Sequence, residues 1–234
     1  MDKINFTPFT EDMKSTHTIL IPGMLPLHFS LLQSALTSCG YKAEILQNTG
    51  REVIETGLKY VNNDICYPAL LVIGQLINAL ESGKYDLQHT ALIISQTGGG
   101  CRASNYIFLL RKALEKAGLT HIPVISLNVN GLEKQPGFNL NATMLRKFLA
   151  AVVYGDALMY LTNKLRPYEV VQGAADQLAQ KWLTKLGKAF QSGKAQALSS
   201  IKSFTHAIAS EFAELPITSQ EKTKVGIVGE IYIK

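Results

Sequence analysis

Short apolar runs alternate along this chain with longer stretches whose apolar residues recur every three or four positions. Short runs are typical of strands covered on both faces, and the longer spacing is typical of helices. The pattern predicts strands at 17–22, 42–46, 90–95 and 122–127, and helices at 25–38, 51–61, 68–82 and 104–117. Because strands and helices alternate, we expect an α/β fold: a Rossmann-like parallel sheet with helices on both faces.

The pattern becomes helical after a loop that contains Pro136 and Gly137. Helices are predicted at 141–165, 172–190 and 195–213, and a polar linker follows at 216–222. Residues 224–230 then resemble the first strand of a new α/β unit. We therefore predict a Rossmann-like domain at 1–140, a helical segment at 141–215, and a linker with one strand at 216–234. That strand either begins a truncated second α/β domain or completes the first sheet at its edge.

Composition indicates a soluble globular protein of the cytoplasm. The chain has 234 residues, of which 47% are hydrophobic and 18% are charged. No apolar run reaches the roughly 18 residues needed to cross a bilayer, and the first twenty residues lack the apolar core of a signal peptide. Three cysteines, one necessarily unpaired, argue against a disulfide framework and favour a reducing compartment.

The net charge of +5 does not indicate a nucleic-acid site. The basic excess lies late in the chain, and no aromatic residues interleave with it as they do in many nucleic-acid grooves. A solvated helix surface accounts for these lysines: Lys181, Lys185, Lys188, Lys194 and Lys202.

Two of the three cysteines lie where helices are predicted to begin. Cys66 precedes Tyr67 and Pro68, and Cys101 follows a run of three glycines. Helix N-termini favour a thiolate over a thiol, and thiolates bind metals. In a right-handed α/β sheet, helix N-termini and strand C-termini share one edge, so both cysteines are expected at the edge where such sheets bind ligands. Cys39 follows the end of a helix and is expected at the opposite edge.

The glycine run Gly98, Gly99 and Gly100 adds a second feature to this edge. Glycines permit positive φ, and successive N–H groups in such a loop can form an anion-binding nest. Beyond the run, Arg102 could offset the negative charge of a ligand, and Ser104 could contact one.

Residue types alone leave several interpretations open. The cysteines can be metal or cluster ligands, or small residues at tight helix starts. The glycine loop can instead hold a phosphate or the pyrophosphate of coenzyme A (CoA), in a binding or assembly domain without catalysis. Cys101 can also act as the nucleophile of a thiol enzyme, although no histidine partner is recognisable.

Two segments carry a family resemblance. Residues 59–69 (KYVNNDICYPA) and 96–106 (QTGGGCRASNY) resemble the cluster-binding motifs of the 2-hydroxyacyl-CoA dehydratase and benzoyl-CoA reductase superfamily. They are most similar to the dehydratase-like region of large activase-related proteins. The similarity extends over most of the chain, including residues 19–26 and 225–230, and both cysteine contexts occur in the family's order.

The resemblance implies Rossmann-like domains that bind a [4Fe-4S] cluster through three cysteines, with an ATP-hydrolysing activator as electron donor and an acyl-CoA as substrate. Cys66 and Cys101 would be two of the ligands. The third would belong to a second Rossmann-like domain that this chain lacks. The chain is thus expected to be the N-terminal half of an electron-transfer module and inactive by itself.

Overall fold

A computed structural model describes residues 6–62, 64–128, 133, 135–226, 228 and 229. Within them lie four strands and eight α-helices, which follow the predicted order except for a short first helix that was not predicted. Their bounds are α1 Met13–Thr16, β1 Thr18–Ile21, α2 Pro26–Thr37, β2 Lys42–Ile45, α3 Arg51–Tyr60, α4 Tyr67–Glu81, β3 Thr90–Ser95, α5 Tyr106–Lys116, β4 Val124–Leu127, α6 Ala142–Leu165, α7 Ala174–Gln191 and α8 Leu198–Ala213. Two short 3₁₀ turns, Leu87–His89 and Arg102–Asn105, precede β3 and α5.

The four strands form one parallel sheet in the order β2-β1-β3-β4. The chain runs outward from β1 to β2 and then returns to the other side of β1 for β3 and β4. This order is that of a doubly wound sheet, whose switch point lies between β1 and β3. The predicted α/β, Rossmann-like parallel sheet is therefore confirmed.

The central strands and the edge strand β2 differ in exposure. The central strands β1 and β3 are almost wholly buried, as expected for apolar strands covered on both faces. In contrast, β2 lies at an edge and exposes Lys42 and Glu44. Charged side chains on an edge strand discourage pairing with another chain.

The chain divides into two compact units, and the division differs from the predicted continuous domain at 1–140. One unit comprises Met1–Met24 with Gly40–Leu140, and the other comprises Leu25–Cys39 with Asn141–Lys234. Helix α2 therefore belongs with the later helices, because its buried face packs against α6 and α7. The buried His28 ring fits against Gly155 of α6, where an added Cβ would lie 2.5 Å from it.

The helical unit has an aromatic core. Trp182, Tyr154 and Phe190 are fully buried. Phe204 lies edge-on to Tyr154 and to Trp182, at ring-centroid distances of 6.0 and 6.4 Å. The Tyr154 hydroxyl donates to the Ala195 carbonyl at 2.8 Å. The predicted helical segment thus has a core of its own.

The predicted strand at 224–230 is not seen in its described part. Residues 224–226, 228 and 229 form no strand, and the side chains of Val225 and Val228 are exposed. A strand requires a neighbour for its backbone hydrogen bonds, and none of the four described strands pairs with this segment. Residues 227 and 230 lie outside the described residues.

Helices α3 and α4 cross at a close contact made by two glycines. A Cβ added to Gly74 of α4 would lie 2.3 Å from the Val53 carbonyl oxygen of α3. A Cβ added to Gly57 of α3 would lie 2.5 Å from the Leu70 carbonyl oxygen of α4. No larger residue fits at either position unless the two helices separate.

Gly74→Ala should therefore destabilise the protein, by about 2–3 kcal/mol from overpacking. The sign of the change in unfolding free energy is informative, because alanine in place of a helical glycine otherwise stabilises a protein by about 1 kcal/mol. Urea denaturation followed by circular dichroism measures the change. Gly226→Ala is the control, since nothing lies within 4 Å of its added Cβ. Equal unfolding free energies for the two variants would contradict the close crossing.

A histidine pair lies where β1 and β3 begin. The ring of His17, which is 9% exposed, lies 5.7 Å from the exposed His89 ring, centroid to centroid. His89 Nδ1 lies 2.6 Å from the Asp86 carboxylate. Burial lowers the pKa of His17 below its usual value, the charge of His89 lowers it further, and Asp86 partly opposes this.

Because the folded-state pKa of His17 is lowered, the unfolded chain binds more protons at this residue in mild acid. The stability that neutral His17 contributes is present above its unfolded pKa of about 6.5 and is lost as pH falls below that value. The unfolding free energy should drop between pH 7.5 and 5.5, and the drop should be smaller in His17→Asn. Identical drops in the two proteins would show that His17 does not contribute.

Candidate cysteine site at the sheet edge

Cys66 is the N-cap residue of α4. Its backbone is extended, with φ −62° and ψ 144°, and its carbonyl accepts from the N–H groups of Ala69 and Leu70 at 3.0 and 3.2 Å. Pro68 occupies the first turn, where its missing N–H costs no helical hydrogen bond. The thiol is half-buried, and the helix start fixes the backbone that carries it.

Cys101 lies at the end of the loop that follows β3. It is the N-cap residue of the 3₁₀ turn Arg102–Asn105, which leads directly into α5. The predicted helix start is therefore a tighter turn than expected, with the α-helix beginning at Tyr106. In contrast to Cys66, Cys101 is exposed.

Tyr106 joins the two cysteine segments. Its hydroxyl lies 3.0 Å from the Cys66 sulfur, and the residue is only 8% exposed. The segments 59–69 and 96–106, separate in sequence, therefore meet at this edge of the sheet.

The glycine loop is open on its outer side. Gly98 has a φ of 70°, which favours glycine, and nothing lies within 4 Å of a Cβ added to Gly99 or Gly100. The Ser104 hydroxyl lies 2.6 and 2.7 Å from the carbonyl oxygens of Gly99 and Cys101. Ser104 therefore links the turn after the loop to the backbone of the loop.

Arg102 was predicted for this site, and Cys39 was predicted to lie at the opposite edge. The side chain of Arg102 lies outside what the structure describes. Cys39 directly follows the C-cap of α2 and belongs to the helical unit.

Gln75 is a structural residue of this edge that sequence reasoning missed. Its side-chain amide accepts from the N–H of Gly23 and donates to the carbonyl of Asn48, both at 2.9 Å. It thereby links α4 to the loops that follow β1 and β2. A glutamine within the mostly apolar α4 was the available signal, because a polar group that is buried requires partners.

The donor chemistry of the site fits iron–sulfur ligation in part. Cys66 and Cys101 are both free thiols, and thiolates are the ligands of such clusters. No group of three or more His, Cys, Asp or Glu side chains suited to a metal occurs among the residues described. The described site thus offers two free thiols beside an open loop.

Comparisons with protein-family models, curated proteins and solved structures found no match to this chain.

None of the helices in the described ranges is long and apolar enough to cross a membrane.

Replacing Ser104 tests its role in the loop. Ser104→Ala removes the hydroxyl that reaches two carbonyl groups, so the unfolding free energy should fall by about 1 kcal/mol. Ser104→Thr, which keeps a hydroxyl, should restore most of it. Denaturation of the ligand-free protein measures both values. If Ser104 served only to contact a ligand, neither substitution would change the stability of the ligand-free protein.

Proposed function

We propose that this chain is part of an iron–sulfur electron-transfer module similar to the 2-hydroxyacyl-CoA dehydratases. In this proposal, Cys66 and Cys101 are two ligands of a [4Fe-4S] cluster that an ATP-dependent activator reduces. The observation that carries it is the contact between Tyr106 and Cys66, because it joins both cysteine segments at one edge.

The position of this edge supports the proposal. Cys66 caps α4 and Cys101 follows β3, so both belong to the edge formed by strand C-termini and helix N-termini. Open α/β sheets bind ligands at this edge, close to the switch point between β1 and β3. Backbone N–H groups in the glycine loop and at the following turn are suitable donors to sulfur or to an anionic group.

The motif resemblance supports the chemical identity. The two segments that resemble the family's cluster motifs are the two that meet through Tyr106. When bound, the cluster would supply one-electron chemistry, and this chain would hold it and shield part of it from water. The remaining ligand, the activator and an acyl-CoA substrate would come from outside the described site, in a reducing cytoplasm.

Cluster assembly tests the proposal directly. We expect anaerobic reconstitution with ferric iron, sulfide and a small thiol, which reduces part of the iron and can complete the ligand set, to yield the Mössbauer signature of a [4Fe-4S] cluster. Cys66→Ser and Cys101→Ser should each lose most of the bound iron, because a hydroxyl is a poor substitute for a soft thiolate. Iron and sulfide quantitation measures the loss.

Cys39→Ser is the matched control and should bind iron like the unsubstituted chain. The assignment is wrong if the unsubstituted chain binds no cluster, or if only Cys39→Ser loses it.

The open glycine loop also favours a second candidate, a domain that binds phosphate or CoA without catalysis. Isothermal titration of CoA and of inorganic phosphate into the metal-free protein distinguishes this candidate function from cluster binding. Tight binding that survives replacement of both cysteines would support the second candidate.

A further inference from the structure

We infer that Tyr106 is a positioning residue for Cys66: its hydroxyl donates a hydrogen bond to the sulfur and fixes the direction of that ligand. This inference rests on the proposed function and gives a role to the last residue of the segment 96–106, for which the resemblance implies none. The observation behind it is the oxygen–sulfur distance of 3.0 Å between two partly buried groups.

The direction of the hydrogen bond follows from the state of the sulfur. A neutral thiol and a phenol can each donate to the other. A metal-bound thiolate has no proton, so only the tyrosine can donate. The tyrosine hydroxyl can therefore serve a ligating Cys66 from its present position, and a bond to a charged acceptor is stronger than one between neutral groups.

Tyr106 is suited to this role because its own position is fixed. It is the first residue of α5, it is 8% exposed, and a tyrosine side chain has few rotatable bonds. Cys66, at the N-cap of α4, also starts from a defined backbone position. The hydrogen bond therefore joins two helix starts, and it limits the rotation of the cysteine side chain about its Cα–Cβ bond.

A donor to a ligating sulfur affects the metal centre in two ways. It orients the ligand, and losing such a partner typically weakens metal binding by about 10- to 100-fold. It also withdraws electron density from the sulfur and so stabilises the reduced cluster, because hydrogen bonds to sulfur help to set the reduction potential.

Tyr106→Phe tests the role while keeping the ring. In the metal-free protein carrying ¹³C-labelled cysteine, three-bond couplings about the Cα–Cβ bond of Cys66 should indicate one rotamer before substitution and averaging after it. In the reconstituted protein, the variant should release iron to a chelator at least about tenfold faster and have a more negative reduction potential.

Tyr160→Phe is the control, because Tyr160 is a 63% exposed tyrosine on α6. It should leave the couplings, the release rate and the potential unchanged. Unchanged couplings in Tyr106→Phe overturn the inference, whether or not a cluster assembles. An unchanged release rate and potential in a variant that holds a cluster also overturn it, and leave the proposed function standing. Failure of the unsubstituted chain to assemble a cluster overturns the proposed function instead, and the couplings alone then decide whether Tyr106 positions Cys66.

Discussion

The close crossing of α3 and α4 is the constraint on which the candidate site depends. Gly57 and Gly74 let the two backbones approach until a single added methyl group would overlap a carbonyl oxygen. Gly74 lies two turns after Cys66 on the same helix, and its neighbour Gln75 binds the loops that follow β1 and β2. One short stretch of α4 therefore sets both the helix crossing and the loops at the ligand edge. Because Cys66 is the N-cap residue of the same helix, its position depends on that stretch.

Much of the fold could be predicted from the sequence because its signals are local. The apolar run at 90–95 is the strand β3, and Gly83 follows the helix α4 that it was expected to end. The grouping of α2 could not be predicted. Apolar spacing shows that one face of a helix is buried, but it does not show which element covers that face. The contact of His28 with Gly155 depends on residues more than 120 positions apart in the chain.

The candidate site likewise has features that local sequence patterns predict and features that depend on long-range contacts. The shared edge of Cys66 and Cys101 follows from the handedness of α/β connections, which sequence patterns are sufficient to invoke. The contact between Tyr106 and Cys66 depends on the rotation of α5 and on two side-chain rotamers, which no spacing encodes. Ser104 shows what the structure adds to residue type. A hydroxyl beside a glycine loop predicts a ligand contact, which stays a prediction, and the structure adds that this hydroxyl reaches carbonyl groups of the loop itself.

The two cysteines also differ in how much order they already have. Cys66 is half-buried, caps a long helix and contacts a buried tyrosine, whereas Cys101 is exposed at the end of a glycine loop. Ordering a side chain or a loop costs conformational entropy, so a ligand already held in place binds with a smaller penalty. If the proposed cluster engages both sulfurs, most of the ordering cost would fall at the exposed Cys101. Cys66 would then be the fixed reference point of the proposed site.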